Sequence, residues 1–210
     1  MNKRGLLLVI SGPSGAGKGT ICKALVEKHK ELYVSVSATT RQPRVGEIDG
    51  VNYHFTTKEQ FIERIEQNDF LEHAEVYGNY YGTPKSKVEE MLSKGIDVIL
   101  EIDIQGALKV KENFEEGVFI FILPPSMEEL KQRIIKRGSE TPESLMTRFK
   151  SAYQELNYVS KYNYAVVNDE VHLAAKKIEG IIAAEKCRVD RIKETILDSK
   201  EGLIHEQLYD

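Results

Sequence analysis

The residues with the clearest chemistry form a glycine-rich turn near the start of the chain. Residues 12–20 read Gly-Pro-Ser-Gly-Ala-Gly-Lys-Gly-Thr and follow directly on the apolar run Leu6–Ile10. Such glycines let successive backbone N–H groups point at one anion, a helix beginning near Gly17 adds its positive end, and Lys18 adds a mobile charge. A glycine-rich turn without a ligand is the alternative. We predict a phosphate-binding loop, called the phosphate loop below, whose candidate contacts are Gly12, Pro13, Ser14, Gly15, Ala16, Gly17, Lys18, Gly19 and Thr20.

One position of the phosphate loop departs from the usual pattern, in which Ser or Thr follows the lysine. Gly19 stands at that position, and Thr20 comes one residue later. The hydroxyl found there in other proteins normally binds Mg²⁺. We therefore expect Mg²⁺ to be held mainly by phosphates and water, without a direct protein ligand, and we expect Thr20 to contact a phosphate.

A second group of anion-binding side chains lies in residues 37–55. Arg41 and Arg44 are three residues apart in a polar loop stiffened by Pro43. Their guanidinium groups present forked donors that suit a phosphate, and the hydroxyls of Tyr53 and Tyr81 can add further donors. A solvated loop with incidental charges is the alternative explanation.

Apolar and amphipathic segments alternate along the chain and predict the elements that position these loops. Predicted strands cover Leu6–Ile10, Tyr33–Ser37, Phe70–Val76, Ile96–Asp103, Val118–Leu123 and Ala165–Val167. Predicted helices cover Thr20–His29, Lys58–Gln67, Pro84–Lys94, a segment from Ser126, Glu143–Ser160 and Val171–Ile196, and residues 77–82 are predicted as a turn. The pattern Thr57-x-x-Gln60 is that of a helix capping box. Nearly continuous apolar strands separated by helix-sized stretches favour an α/β fold, with a parallel sheet covered on both faces and two insertions.

Composition and charge limit the classes of function. The chain has 210 residues, of which 41% are hydrophobic and 30% charged, and a net charge of −4. This length suits one sizeable core, and the negative charge argues against a broad nucleic-acid or membrane-binding face. Cys22 and Cys187 form no Cys-x-x-Cys unit, which favours reduced thiols in a cytoplasmic protein. The sequence shows neither a signal segment nor an apolar run of bilayer length, so we expect cytoplasmic localisation and no membrane or nucleic-acid partner.

Several segments together resemble the guanylate kinase family, from Gly5 to about Arg188. They are the phosphate loop, the pattern Thr40-Arg41-x-x-Arg44-x-x-Glu47-x-x-Gly50-x-x-Tyr53-x-Phe55, residues 78–83, residues 99–106, the pair Arg137-Gly138 and residues 166–169. The resemblance implies a P-loop NTPase-type parallel sheet flanked by helices, with an inserted GMP-binding lobe and a helical lid. It places the ATP-binding core at 1–36, 91–125 and 159–195, the GMP-binding lobe at 37–90, the lid at 126–158 and a C-terminal tail at 196–210.

The resemblance also implies a GMP site, in which Glu72 faces the guanine ring. One carboxylate can accept hydrogen bonds from both the N1–H and the N2–H₂ groups of guanine, and adenine offers no such pair of donors. Ser37 and Thr83 have hydroxyls that can donate to the guanine O6. A solvated strand carboxylate is the alternative for Glu72. The residues expected to bind GMP are Ser37, Arg41, Arg44, Glu47, Tyr53, Glu72, Tyr81, Thr83, Glu101 and Asp103.

The implied activity is ATP-dependent phosphorylation of GMP, and of dGMP, to GDP and dGDP, in purine nucleotide metabolism and GMP recycling. ATP is the expected phosphoryl donor, and Mg²⁺ is the expected cofactor. Positioning and charge neutralisation supply most of the catalysis in such a transfer, and no covalent intermediate is needed. Glu101, where many relatives have Asp, is expected with Asp103 to orient metal-bound water or GMP. Asn168 and Asp169 are expected to border the adenine ring of ATP.

Three arginines, Arg133, Arg137 and Arg148, match the arginines of the family's lid and would close over the transferring group. An exposed ion pair on a helix is the alternative for Arg133. The residues expected to act in catalysis are Lys18, Arg41, Arg133, Arg137 and Arg148.

Two other functions compete with this interpretation. One is a related scaffold domain that has lost catalysis, but such a domain would be expected to lack Lys18 or the arginines. The other is a kinase for a different small phosphorylated acceptor, against which Glu72 and the aromatic segment at residues 77–82 argue. The expected partners are therefore the small molecules ATP and GMP. The oligomeric state stays open between a monomer and a homodimer.

Overall fold

A five-stranded parallel sheet forms the centre of the structure, a computed structural model that describes residues 4–76, 78–136 and 142–192. The strands are β1 (Leu7–Ser11), β2 (Tyr33–Val34), β3 (Ala38–Thr39), β4 (His54–Phe55), β5 (Phe70–Val76), β6 (Asn79–Pro84), β7 (Val98–Glu101), β8 (Val118–Leu123) and β9 (Tyr164–Val167). The α-helices are α1 (Lys18–Lys28), α2 (Lys58–Glu66), α3 (Lys85–Ser93), α4 (Ile104–Asn113), α5 (Met127–Lys136), α6 (Pro142–Glu155) and α7 (Val171–Glu185). A 3₁₀ helix over Leu156–Lys161 follows α6.

The central sheet has the strand order β2-β7-β1-β8-β9, and all its neighbouring strands run parallel. This confirms the predicted α/β fold. In such a sheet, ligands bind at the carboxyl ends of the strands. Strand β1 ends at Ser11, directly before the phosphate loop, and the neighbouring strand β7 ends at Glu101. The phosphate loop and the acidic residues Glu101 and Asp103 at the end of β7 therefore share one edge of the sheet.

Both faces of the central sheet are buried. Alternate residues of β1 point to opposite faces: Leu8 and Ile10 pack with α1 and α7, whereas Leu7 and Val9 pack with α3 and α4. All five residues of β1 are buried. Burial on both faces explains why these strands are nearly continuous apolar runs in the sequence.

A second sheet, with the strand order β4-β3-β6-β5, is built from residues 38–84. Helix α2 covers it, and the ring of Phe61 stacks on Phe70 at 4.4 Å between centroids and on Tyr80 at 5.5 Å. The predicted capping box of α2 is confirmed, because the Thr57 hydroxyl accepts from the Gln60 N–H while the Gln60 side chain accepts from the Thr57 N–H. The sheet is thus held by a small aromatic core of its own.

The prediction of a turn over residues 77–82 is wrong for most of that segment. Strand β6 begins at Asn79 and pairs with β5 on one side and β3 on the other. Only the left-handed Gly78, with φ of 77°, represents the turn among the residues described here. Pairing on both sides outweighs the weak strand propensity of asparagine and glycine. The predicted strand at Tyr33–Ser37 is also shorter, since β2 covers only Tyr33–Val34.

The long closing helix is shorter than predicted. Helix α7 ends at Glu185, whose buried carboxylate accepts from the Tyr164 hydroxyl at 2.6 Å and lies 3.4 Å from Nη2 of Arg191. The chain turns after Glu185, which lets Arg191 reach back to that carboxylate. No helix in the described parts of the chain is long and apolar enough to cross a bilayer.

Candidate active site

The phosphate loop joins β1 to α1 and is shaped by glycines with positive φ. Gly12, Gly15 and Gly17 have φ of 141°, 89° and 92°, a region that side-chain-bearing residues rarely adopt. The Lys18 ammonium donates to the Gly12 carbonyl at 2.6 Å and to the Pro13 carbonyl at 3.3 Å. Gly17 provides no side-chain cap for α1. The loop therefore brings together the lysine and the first N–H groups of a helix, which is an anion-binding arrangement.

A cleft beside the phosphate loop is lined by Gly15, Gly17, Thr20, Arg133, Asn168, Asp169 and Val171. The buried Asn168 donates from Nδ2 to the Ala16 carbonyl at 2.7 Å, so it holds the back of the loop. Arg133 donates from Nη2 to the Asn168 carbonyl at 3.2 Å. Arg133 also pairs through Nε with Glu129 at 3.0 Å. Arg133 therefore makes the exposed ion pair that was the alternative to a role in the site, and it also lines the cleft.

Arg41 lies on the second sheet's side of the site and is oriented by an acidic partner. Its Nη2 lies 2.9 Å and 3.0 Å from the two carboxylate oxygens of Glu47. The same carboxylate accepts from the Arg44 N–H at 2.7 Å. The hydrogen bond with Arg41 lowers the pKa of Glu47, and the hydrogen bond with Glu47 raises the pKa of Arg41. This pairing fixes the position of the Arg41 guanidinium, although the loop that carries it is polar and largely exposed.

Two tyrosines stand beside the Arg41 guanidinium. Its Cζ lies 5.4 Å from the centre of the Tyr53 ring, and the Tyr53 and Tyr81 rings are 6.0 Å apart. Burial raises the pKa of Tyr53, with a further contribution from Glu101. The phenols and the guanidinium together form a surface of hydrogen-bond donors, which is the chemistry that a phosphate needs.

Glu72 is a buried carboxylate on β5 that lies against the first turn of α4. It lies opposite Thr83 in the β5–β6 register, and the Thr83 hydroxyl donates to its Oε1 at 2.7 Å. Only 7% of Glu72 is exposed. Burial raises its pKa to about 7, although the Thr83 hydrogen bond acts in the opposite direction. The alternative of a solvated strand carboxylate does not fit this burial.

Two acidic residues at the end of β7, Glu101 in its last position and Asp103 two residues later, lie near both the phosphate loop and the second sheet. A Cβ added at Gly19 would be 3.2 Å from Oε1 of Glu101, so that carboxylate lies directly against the loop. Asp103 caps α4, because its Oδ1 accepts from the Gly106 N–H at 2.8 Å. The phosphate loop and the side chains of the second sheet therefore meet at these carboxylates.

Other residues expected in the site are less engaged or lie outside the described parts. Ser37 is half-buried, and its backbone carbonyl accepts a hydrogen bond from the His54 N–H at 2.9 Å, which joins the segment before β3 to β4. Arg44 is exposed. Arg137 lies outside the described residues, and only the backbone of Arg148 is described.

The site also contains Glu155, which no sequence pattern predicts. Glu155 is the last residue of α6, and burial raises the pKa of its carboxyl group. The nearby Lys18 ammonium and a hydrogen bond from the Ser14 N–H both act to lower that pKa. The end of α6 thus contacts the phosphate loop. No local pattern marks Glu155, since it is one acidic residue among several on an amphipathic helix.

Comparison with known proteins agrees with this geometry. The family model described as "Guanylate kinase" matches residues 4–185. The chain is 79% identical to a guanylate kinase from Clostridium perfringens, over 100% of this chain and 97% of that protein, and 74% identical to one from Clostridium tetani, over 99% and 100%. The crystal structure of guanylate kinase from Anaplasma phagocytophilum has a TM-score of 0.76 and 37% identity, with 90% of each chain covered. The resemblance seen in the sequence is confirmed: the chain belongs to the guanylate kinase family.

Proposed function

We propose that this chain transfers the γ-phosphoryl group of ATP to GMP, giving ADP and GDP, with ATP at the phosphate loop and GMP on the second sheet. The buried carboxylate of Glu72 carries the proposal, because it lies on β5 of the second sheet, next to the strand β6 that carries Tyr81 of the phosphate-binding cluster. A base reader and a phosphate clamp within one lobe suit a nucleoside monophosphate. The same site would accept dGMP, since none of these contacts requires the 2′-hydroxyl.

Guanine recognition follows from the chemistry of Glu72. Guanine presents two adjacent N–H donors to the two carboxylate oxygens, whereas adenine would leave a buried charge without donors. Sites that leave a buried polar group unpaired reject the wrong ligand by ~10⁴-fold or more. The Thr83 hydroxyl, which donates to Oε1 in this structure, would turn its hydrogen to O6 of the bound base, and the Ser37 hydroxyl would donate to O6 as well. GMP would therefore be bound to the ionised form of Glu72.

The acceptor phosphate would be held by Arg41, Arg44, Tyr53 and Tyr81, with Glu47 orienting Arg41. The donor phosphates would be held by the N–H groups of the phosphate loop and by Lys18, and the adenine would occupy the cleft at Asn168 and Asp169. Held this way, the γ-phosphoryl group passes in line to an oxygen of GMP, and no protein group forms a covalent intermediate. Arg133, Arg137 and Arg148 are proposed to neutralise the charge of the transferring group.

The proposed division into parts follows these roles. Residues 1–36, 91–125 and 159–195 form the ATP-binding core, 37–90 the GMP-binding lobe, 126–158 the lid, and 196–210 a tail. The second sheet lies wholly within the proposed lobe. We further propose a cytoplasmic location, which suits the free thiols of Cys22 and Cys187.

Mg²⁺ fits the site through Glu101 rather than through residue 19. The carboxylate of Glu101 lies against the position that a side chain at Gly19 would take, so an oxygen donor stands near the place of the usual hydroxyl. Within the described ranges, no group of three or more His, Cys, Asp or Glu is arranged to hold a metal ion. Mg²⁺ keeps several water ligands, and Glu101 would hold these waters while the donor phosphates bind the ion directly. When bound, the ion neutralises charge on the donor phosphates.

A panel of acceptors tests the proposal. With ATP and Mg²⁺, we expect kcat/KM for GMP and dGMP to exceed that for AMP, UMP and CMP by at least ~10²-fold, because only guanine supplies both donors to Glu72. Absence of turnover with every acceptor would favour a scaffold domain. Turnover of AMP as good as that of GMP would overturn the base assignment.

A further inference from the structure

The first turn of α4 contains a glycine that the helix itself does not need. Gly106 is the third residue of α4, is buried and is not among the residues with positive φ. Glycine within a helix is ~1 kcal/mol less favourable than alanine, and its cost is normally avoided. Some feature outside the helix must therefore explain this residue.

That feature is the carboxylate of Glu72. A Cβ added at Gly106 would lie 2.7 Å from Oε2 of Glu72, closer than real Cβ atoms approach a neighbour, and 3.2 Å from its Cδ, which is also tight. The carboxylate has little room to retreat, because its Oε1 accepts from the fully buried Thr83 hydroxyl at 2.7 Å. A methyl group at this position would therefore displace Oε2 or break the Thr83 hydrogen bond.

We infer that Gly106 is a specificity-determining residue that positions the Glu72 carboxylate for guanine, by leaving room for Oε2 against the first turn of α4. The inference rests on the proposed function of Glu72 as the base reader. Gly106 acts through Glu72 and is a positioning residue. Asp103, which accepts from the Gly106 N–H, holds the same turn in place.

The chemistry of the base gives a direct readout of Oε2. Guanine offers N1–H and N2–H₂, one donor for each carboxylate oxygen, whereas hypoxanthine offers only N1–H. When both carboxylate oxygens are in place, GMP forms one more hydrogen bond to Glu72 than IMP does, and the protein therefore prefers GMP. Displacement of Oε2 removes that second bond and leaves the first. The ratio of kcat/KM for GMP to that for IMP therefore reports the position of Oε2.

The test compares Gly106→Ala with Gly180→Ala. Gly180 lies within α7, is exposed, and a Cβ there would meet nothing within 4 Å. We expect Gly180→Ala to leave the kinetics unchanged. Gly106→Ala should raise the KM for GMP about tenfold, lower the GMP-to-IMP ratio about fivefold and leave the KM for ATP within twofold. Calorimetric titration with GMP should show the same weakening.

A double variant separates a displaced carboxylate from a general loss of structure. Glu72→Asp shortens the side chain by one methylene, which removes the overlap with a methyl group at residue 106. We expect Gly106→Ala to cost at least threefold less in GMP affinity in the Glu72→Asp background than in the wild type. If Gly106→Ala alone lowers the melting temperature, the added Glu72→Asp should restore it.

Two results would overturn the inference. One is a folded Gly106→Ala variant with unchanged GMP affinity and GMP-to-IMP ratio; the other is a loss of structure that Glu72→Asp does not relieve. If the wild-type protein prefers GMP to AMP, either result counts only against the role of Gly106 and leaves the proposed function standing. A wild type without that preference counts against the proposed function itself.

Discussion

The phosphate loop and the Arg41 cluster are both assigned to phosphate, yet they are built differently. In the phosphate loop the donors are backbone N–H groups, shaped by glycines within a few residues of one another. In the Arg41 cluster, formed by Arg41, Tyr53 and Tyr81, the donors are side chains from two loop positions and from β6, and Arg41 is already paired with Glu47. The neighbouring base-reading carboxylate of Glu72 is likewise paired, with Thr83. A backbone cradle is formed by the fold alone, whereas GMP must enter a set of existing side-chain pairs. Variants in the two regions should therefore fail in different ways.

The largest effect is expected for Lys18→Ala in the phosphate loop. Lys18 is only half-buried and its ammonium faces the phosphate loop rather than the apolar core, so we expect its loss to leave the fold intact. Turnover should fall by about 10³-fold, since one charge-stabilising donor is worth about that much. Initial rates and thermal melting check this, with Lys23→Ala on the exposed side of α1 as the control. Retention of a tenth of the wild-type turnover would show that the donor phosphates bind elsewhere.

Glu72→Gln should separate the acceptor site from the donor site. We expect kcat/KM for GMP to fall by about 10²-fold or more and the KM for ATP to stay within twofold, because an amide cannot accept both guanine donors. Steady-state kinetics in each substrate give the comparison. Glu75→Gln, at an exposed position of the same strand, is the matched control. Equal losses for both nucleotides would contradict the base-reading role.

The same substitution should change how stability depends on pH. Burial raises the pKa of Glu72 from 4.5 to about 7, so the folded protein binds an extra proton between these values. The stability that the protonated Glu72 contributes is therefore complete below pH 4.5 and is lost as the pH rises through 7. Above pH 7 the buried, ionised carboxylate lowers the free energy of unfolding by about 3 kcal/mol. Glu72→Gln lacks this titration and should therefore gain stability relative to wild type at pH 8 but not at pH 4.5. Urea unfolding at pH 4.5 and pH 8 measures the difference in free energy of unfolding between the variant and the wild type. The same difference at both pH values would refute the prediction.

Breaking the internal pair of the Arg41 cluster should have a moderate effect. Glu47→Gln removes the charge that orients Arg41 and the carboxylate that accepts from the Arg44 N–H. A partly exposed ion pair is worth up to about 1 kcal/mol, so the KM for GMP should rise about fivefold while the KM for ATP is unchanged. Glu63→Gln, on exposed helix surface, serves as the control. A lower KM for GMP would mean that Glu47 competes with the phosphate for Arg41.

The smallest effect is expected at the capping box of α2, which supports the second sheet without touching either phosphate site. Thr57→Ala removes the cap of the Gln60 N–H and should lower the free energy of unfolding by about 1 kcal/mol. Chemical denaturation measures this, and both KM values should be unchanged. A change in the KM for GMP would show that the helix also positions the acceptor site.

Some elements could be predicted because their causes are local. The bounds of β5 and β8 agree with the prediction. β8 is a continuous apolar run between Gly117 and Pro124, and β5 is a mixed segment that ends shortly before Gly78. The capping box depends on two residues three positions apart. By contrast, the strand character of β6 comes from pairing with neighbours on either side, which no local pattern encodes. The end of α7 at Glu185 likewise coincides with a tertiary contact, in which Arg191 reaches back to that buried carboxylate.

The amino-acid sequence by itself determined the phosphate loop, most strands of the central sheet, and membership of the guanylate kinase family, because spacing within short segments encodes all three. Tertiary structure alone decided which distant residues share the site. It placed Asn168 behind Ala16, 152 positions away in the chain, Glu101 against Gly19, and the carboxylate of Glu72 against Gly106. These contacts depend on how helices pack against sheets, and no local spacing records that packing. The same packing raises the pKa of Glu72 to about 7, because burial is a property of the folded chain.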